Sequence, residues 1–79
     1  MSPTVFRHRN ARFYFFTREE PRMHIHVQTP EGEAKFWMEP EIELAKTIKL
    51  KPKELGRLKN IVEEHREEII NEWNRNHKR

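Results

Sequence analysis

Residues 24–38 read HIHVQTPEGEAKFWM, two short runs of alternating apolar and polar side chains joined by TPEG. A period of two with β-branched and aromatic residues is typical of β-strands, and proline and glycine between two such runs indicate a turn. The stretch therefore predicts a β-hairpin with strands over 24–28 and 33–38. With Glu31 and Gly32 as its loop, five cross-strand pairs are expected: Val27–Phe36, Ile25–Met38, His26–Trp37, Gln28–Lys35 and His24–Glu39.

This register sorts the side chains by face. Successive side chains of a strand point to opposite faces, so His24 and His26 share one face while Ile25 and Val27 share the other. A slip by one residue would mix apolar and polar side chains on both faces. We therefore expect one face to lie in the core and the face with the two histidines to lie outside it.

The same alternation continues upstream of the hairpin. Strands are predicted over 4–9 and 11–16, around a tight turn at Arg9 and Asn10, because asparagine tolerates the left-handed backbone that such turns require. This turn gives two expected cross-strand pairs, Phe6–Phe13 and Val5–Tyr14.

Downstream, residues 42–50 have apolar side chains at even spacings, with Lys46 as the exception. This pattern predicts a fifth strand, and a helical turn near Leu44–Lys46 is the alternative. From Pro52 the apolar spacing changes to steps of three and four, which predicts one amphipathic helix over about 52–76. Pro52 suits the first helical position, where its missing N–H costs no hydrogen bond.

The predicted fold class is α+β, in one domain over residues 1–79. An antiparallel sheet of four to five strands should carry one long C-terminal helix packed on one face. Ten apolar side chains are expected in the core between them: Phe6, Phe13, Phe15, Ile25, Val27, Phe36, Met38, Leu58, Val62 and Ile69.

Composition narrows the function classes. The 79 residues contain no cysteine, so disulfides and thiolate zinc sites are excluded. No apolar run approaches the ~20 residues that a membrane span needs, and the N-terminus has no signal-peptide core, so we expect a cytoplasmic protein without membrane contact. The net charge is +3, with five arginines in residues 1–22 and five glutamates in residues 63–72. No cofactor is expected.

The face with the histidines should also hold large aromatic rings among basic side chains. A solvated sheet face is normally more polar than this, which indicates a surface that is covered or used. The predicted interaction surface consists of Arg7, Arg12, Tyr14, Phe16 and Trp37.

The motifs PxxHIHV, EAKFWM and EEHREEI, over nearly the whole chain, resemble the small prokaryotic family called domain of unknown function (DUF) 4160. Members resemble partners of another small protein in two-gene units similar to toxin–antitoxin modules, and the family has no established reaction. The residues that the resemblance marks by motif are Pro21, His24, His26, Lys35, Phe36, Trp37, His65 and Trp73.

Three interpretations of the histidine face remain open. In the first, His24 and His26 act as acid and base in RNA cleavage, with Lys35 neutralising charge on the phosphate, because imidazole titrates near neutral pH. In the second, His24 and His26 bind a metal with Glu39 or Glu33 as a third ligand. In the third, the face binds a second copy of the chain or another small protein, since tyrosine, tryptophan and arginine are enriched at interface centres.

We favour the third interpretation: a protein-binding module of a toxin–antitoxin-like pair, forming a homodimer or binding a small partner protein. A metal-independent ribonuclease-type toxin is the alternative, and RNA binding without cleavage is also open. His65 lies on the apolar stripe of the helix, on the other side of the sheet, and is expected to be a hydrogen-bonded structural residue.

Overall fold

The computed structural model describes residues 4–15 and 21–76. One antiparallel sheet has the strand order β1-β2-β3-β4-β5, and two helices follow it, so the fold class is α+β. The elements are β1 Thr4–His8, β2 Ala11–Tyr14, β3 His24–Gln28, β4 Glu33–Trp37, β5 Glu43–Ile48, α1 Pro52–Glu64 and α2 Arg66–Asn76. Within residues 4–15 and 21–76, neither helix is long and apolar enough to cross a membrane.

The prediction of one long helix is wrong, because the helix is interrupted at His65. The backbone of His65 has φ −103° and ψ 19°, which ends α1. Its ring stacks on Phe6 with centroids 4.0 Å apart, and its Nδ1 donates to Glu68 Oε1 at 2.9 Å. Only this residue leaves helical geometry, since the Ile69 amide already donates to the His65 carbonyl at 2.9 Å. The apolar stripe therefore continues from α1 into α2.

The core lies between the helices and one face of the sheet. Nine of the ten predicted core residues are buried, and Phe6 is half-buried against the same cluster. The helices contribute Leu58, Ile61, Val62, Ile69 and Trp73. Pro52 begins α1 as predicted, with the Lys51 amide donating to the Glu54 carboxylate at 3.1 Å.

The first hairpin has the predicted two-residue turn. Phe6 pairs with Phe13, and Arg9 takes the left-handed backbone with φ 57°. The predicted pair Val5–Tyr14 is wrong, because a β-bulge between Thr4 and Phe6 makes Thr4 the partner of Tyr14.

The second hairpin has a register that differs from the prediction by two residues. Ile25 pairs with Phe36 and His24 with Trp37, because the loop has four residues rather than two. Thr29 closes this loop: its amide donates to the Gly32 carbonyl at 2.8 Å, and its hydroxyl accepts from the Gly32 amide at 3.1 Å. Because the shift is even, each side chain keeps its predicted face.

The fifth strand is confirmed over Glu43–Ile48, shorter than the predicted 42–50, and the alternative of a helical turn is excluded. A bulge explains why Lys46 interrupts the apolar spacing. Lys46 pairs with Lys35, whereas Leu44 pairs with Phe36, which leaves Ala45 as the extra residue. Lys46 therefore lies on the face of Lys35, away from the core.

The two glycines give a matched pair of stability tests. A Cβ at Gly32 would overlap the carbonyl oxygen of Ile48, whereas a Cβ at Gly56 would have no neighbour within 4 Å. Gly32→Ala should therefore lower the free energy of unfolding by roughly 1–3 kcal/mol, the usual range for overpacking. Gly56→Ala, inside α1, should raise it by about 0.5–1 kcal/mol. Urea unfolding followed by circular dichroism measures both, and equal effects would contradict the close approach at Gly32.

Candidate functional site

The open face is the face of the sheet that points away from the helices. Its centre is a row of four side chains in successive strands, because Tyr14 pairs with His26, His26 with Lys35, and Lys35 with Lys46. Directly paired residues project from the same face, so this transverse row crosses β2 to β5 in one line. The predicted face assignment of Tyr14, His26 and Lys35 is thereby confirmed.

Aromatic rings on the open face are in contact with cationic or imidazole groups. The Arg12 guanidinium lies 4.4 Å from the Tyr14 ring centroid, and the His26 ring stacks near Tyr14 at 5.4 Å. Arg12 Nε also donates to Thr4 Oγ1 at 2.7 Å, which fixes the guanidinium. Tyr14 is only 7% exposed as a result of this packing and its neighbours.

Trp37, which lies one row further along the open face, is also in contact with cationic groups. The Arg22 guanidinium lies 4.2 Å from its ring centroid and the Lys35 ammonium 4.6 Å from it. Arg22 Nε donates to the Glu39 carbonyl at 3.1 Å, which joins the segment before β3 to the segment after β4. Such cation–π contacts orient positive charges over apolar rings.

His24 lies beside His26, with ring centroids 5.1 Å apart, but it is 0% exposed. The Trp73 ring of α2 lies 5.1 Å from it, and Trp37 lies 5.8 Å from it. Its Nδ1 is 2.6 Å from the Arg22 carbonyl oxygen, which can only accept, so this nitrogen carries a hydrogen. His24 therefore keeps its predicted face beside His26 and Trp37, but it is covered rather than open to solvent.

The burial of His24 comes from the end of the second helix. Trp73 packs edge-on against Phe15 of the core at 5.4 Å and also reaches His24, so it covers the end of the sheet. The apolar spacing that begins at Pro52 includes Trp73, but it does not predict the contact of Trp73 with His24, which is distant in the chain.

Lys46 is the site residue that the sequence analysis did not assign. It lines a pocket of about 190 Å³ on the open face. The other lining residues are Tyr14, His26, Glu33, Ala34, Lys35, Thr47 and Ile48. The break in the even spacing at Lys46 was the available signal, because a bulge reverses the faces that follow it.

The remaining predicted residues lie at the edges of this arrangement. Arg7 pairs with Arg12 and so adds a second basic pair to the open face. Phe16 lies outside the described residues. His65 lies at the junction of the helices, on the other side of the sheet, as expected for a structural residue.

The metal alternative has no assembled site in the ranges 4–15 and 21–76, where no three potential metal-binding side chains come together. Trp37 rather than Glu39 lies opposite His24, so the register removes Glu39 as a third ligand. The catalytic role of His24, His26 and Lys35 stays a prediction, with one of the two imidazoles buried.

Comparison with known proteins gives one family. The model of the family described as "Domain of unknown function (DUF4160)" matches residues 10–74. No curated protein and no solved structure matches the chain. The match covers β2 to β5, the transverse row and both helices as far as residue 74, and it confirms the resemblance to this family. The chain therefore belongs to the DUF4160 family.

Proposed function

We propose that this protein is a protein-binding module of a toxin–antitoxin-like pair and that it binds its partner through the open face. The observation that carries the proposal is the set of aromatic rings held against cations, with Arg12 on Tyr14 and both Arg22 and Lys35 on Trp37. Tyrosine, tryptophan and arginine are the residues that contribute most at interface centres. Their positions are fixed by contacts within the chain, so little side-chain entropy is lost on binding.

The two edges of the sheet are poor alternatives for association. Edge strands pair readily with other chains unless bulges or charged residues prevent it. β1 has a bulge at Val5 and carries Arg7, and β5 has a bulge at Ala45 and carries Lys46. Both edges therefore have the features that oppose strand addition, which favours binding through the face.

The burial of His24 supports binding over catalysis. A general acid and a general base must each come within hydrogen-bond reach of the reacting group. His26 is half-buried and lies in the transverse row, whereas His24 is covered by Trp73. If the protein were a ribonuclease, either His26 and Lys35 would carry the acid–base chemistry, or the end of α2 would have to move away from His24.

The test is co-expression with the protein encoded by the neighbouring gene. We expect a complex on size-exclusion chromatography with light scattering, and we expect one protein of the pair to arrest growth and the other to restore it. Lys46→Glu should weaken the complex by about 1–2 kcal/mol, roughly five- to thirtyfold, because it reverses a charge within the interface. Lys59→Glu makes the same change on exposed α1 and should leave the affinity unchanged.

Two results would contradict the proposal. The first is equal weakening by Lys46→Glu and Lys59→Glu, which would mean that net charge and not the open face decides binding. The second is cleavage of RNA by the purified protein that is lost in His26→Gln, which would make the ribonuclease alternative correct. Growth that neither protein alters would remove the toxin–antitoxin part of the proposal.

A further inference from the structure

The open face keeps like charges next to each other. Lys35 and Lys46 are directly paired across β4 and β5, and Arg7 and Arg12 are directly paired across β1 and β2. Like charges in direct cross-strand pairs destabilise a sheet. Lys35 and Lys46 also line the same pocket, together with Tyr14 and His26. An anion in this pocket would be attracted to both lysines.

From this arrangement we infer, on the basis of the proposed function, that the partner is an acidic protein segment, one of whose carboxylates enters the pocket between Lys35 and Lys46. The pocket of about 190 Å³ holds a carboxylate side chain, and its one acidic lining residue is Glu33. The Glu33 side chain lies in the neighbouring row, opposite Gln28 and Ile48, so the pocket has two lysines and one carboxylate among its lining residues.

A second copy of this chain is a poor occupant. Its exposed glutamates at positions 63, 64, 67 and 68 lie on the helices, on the opposite side of the sheet from the open face. Docking them onto the open face of another copy would be a head-to-tail contact, which generates open chains rather than a closed dimer. The open face carries two exposed glutamates, Glu33 and Glu43. Its basic side chains outnumber them, so two open faces packed together would repel each other. The charges therefore favour a different, acidic protein.

The contacts that the aromatic rings already make argue against RNA as the partner. Proteins that bind single-stranded nucleic acid stack bases on accessible aromatic faces, in addition to contacting phosphates. Here Arg12 and His26 lie against Tyr14, and Arg22 and Lys35 lie against Trp37. A base would have to displace these groups, whereas a carboxylate can bind the cations where they already are.

The experiment uses three probes at low salt: a short peptide of alternating glutamate and threonine, its glutamine counterpart, and oligouridylate of the same length. Binding is followed by backbone amide NMR of the full chain. We expect the glutamate peptide to shift amides around Lys35 and Lys46, the glutamine peptide to shift none, and added salt to weaken binding. The double variant Lys35→Gln/Lys46→Gln should bind the glutamate peptide roughly three- to tenfold more weakly.

Lys59→Gln is the control, because it removes one positive charge from exposed α1. The inference is overturned if the double variant binds as tightly as the unchanged protein, or if oligouridylate shifts the same amides at lower concentration than the glutamate peptide. It is also overturned if the partner complex forms through the open face while the glutamate peptide shifts nothing, and in that case the proposed function stands. Binding of the peptide in the expected place without any partner complex supports the anion site and removes the proposed function.

Discussion

Replacing Phe36 with alanine should lower the free energy of unfolding by about 3–5 kcal/mol, the usual cost of removing a buried phenylalanine ring. Phe36 is 1% exposed and lies in β4, paired with Ile25 of β3 on one side and Leu44 of β5 on the other. A small domain has about 5–15 kcal/mol of stability in total, so much of it should be lost. Urea unfolding followed by circular dichroism measures the change.

Leu44→Ala is the control for this experiment. Leu44 is the direct cross-strand partner of Phe36 but is 42% exposed, so its truncation should cost only about 1 kcal/mol. The two variants separate the effect of burial from the effect of strand pairing, because Phe36 and Leu44 form one cross-strand pair and differ in exposure. A Phe36→Ala variant that unfolds cooperatively at the unchanged urea midpoint would mean that the helices do not pack on this face.

Trp73→Ala should cost a similar 3–5 kcal/mol and should also expose His24. The Trp73 ring is 6% exposed and lies against Phe15 and His24 at the end of the sheet. Trp73→Phe keeps an aromatic ring there and should recover a large part of the loss. Denaturant unfolding gives the stability, and NMR of the His24 ring hydrogen gives its protection from solvent exchange.

The second readout distinguishes burial from general destabilisation. The Nδ1 hydrogen of His24, which bonds to the Arg22 carbonyl, should exchange slowly in the unchanged protein and rapidly in Trp73→Ala. In Phe36→Ala, under conditions where that variant is folded, it should remain slow. Slow exchange in all three proteins would show that Trp73 is not what covers His24.

Much of the fold could be predicted from the sequence because it rests on local periodicity. The alternation in β3 and β4 fixed which side chains face the core, and this assignment holds although the register differs by two residues. The register itself depends on the loop, where Thr29 bonds to Gly32 and lengthens the turn to four residues. Such a bond has no periodic signature, so spacing alone could not predict it.

The candidate site was predicted only in part, for the same reason. His26 and Lys35 follow from alternation, but Lys46 joins them through the bulge at Ala45. The burial of His24 depends on Trp73, which is distant in the chain and reaches it only after α2 has packed. The interruption at His65 likewise occurs where its ring stacks on Phe6 of β1. These features arise from tertiary contacts, which the sequence pattern of one element does not contain.

The position of Trp73 has a consequence for protein synthesis. The Trp37 ring, on which Arg22 and Lys35 rest, lies against His24, and His24 in turn lies against Trp73 of α2. A nascent chain in which only the five strands have been made therefore still lacks Trp73, the residue that supports this surface. We expect the nascent chain to acquire its binding surface only after α2 has been made and has packed, so that its partner cannot bind while only the five strands exist.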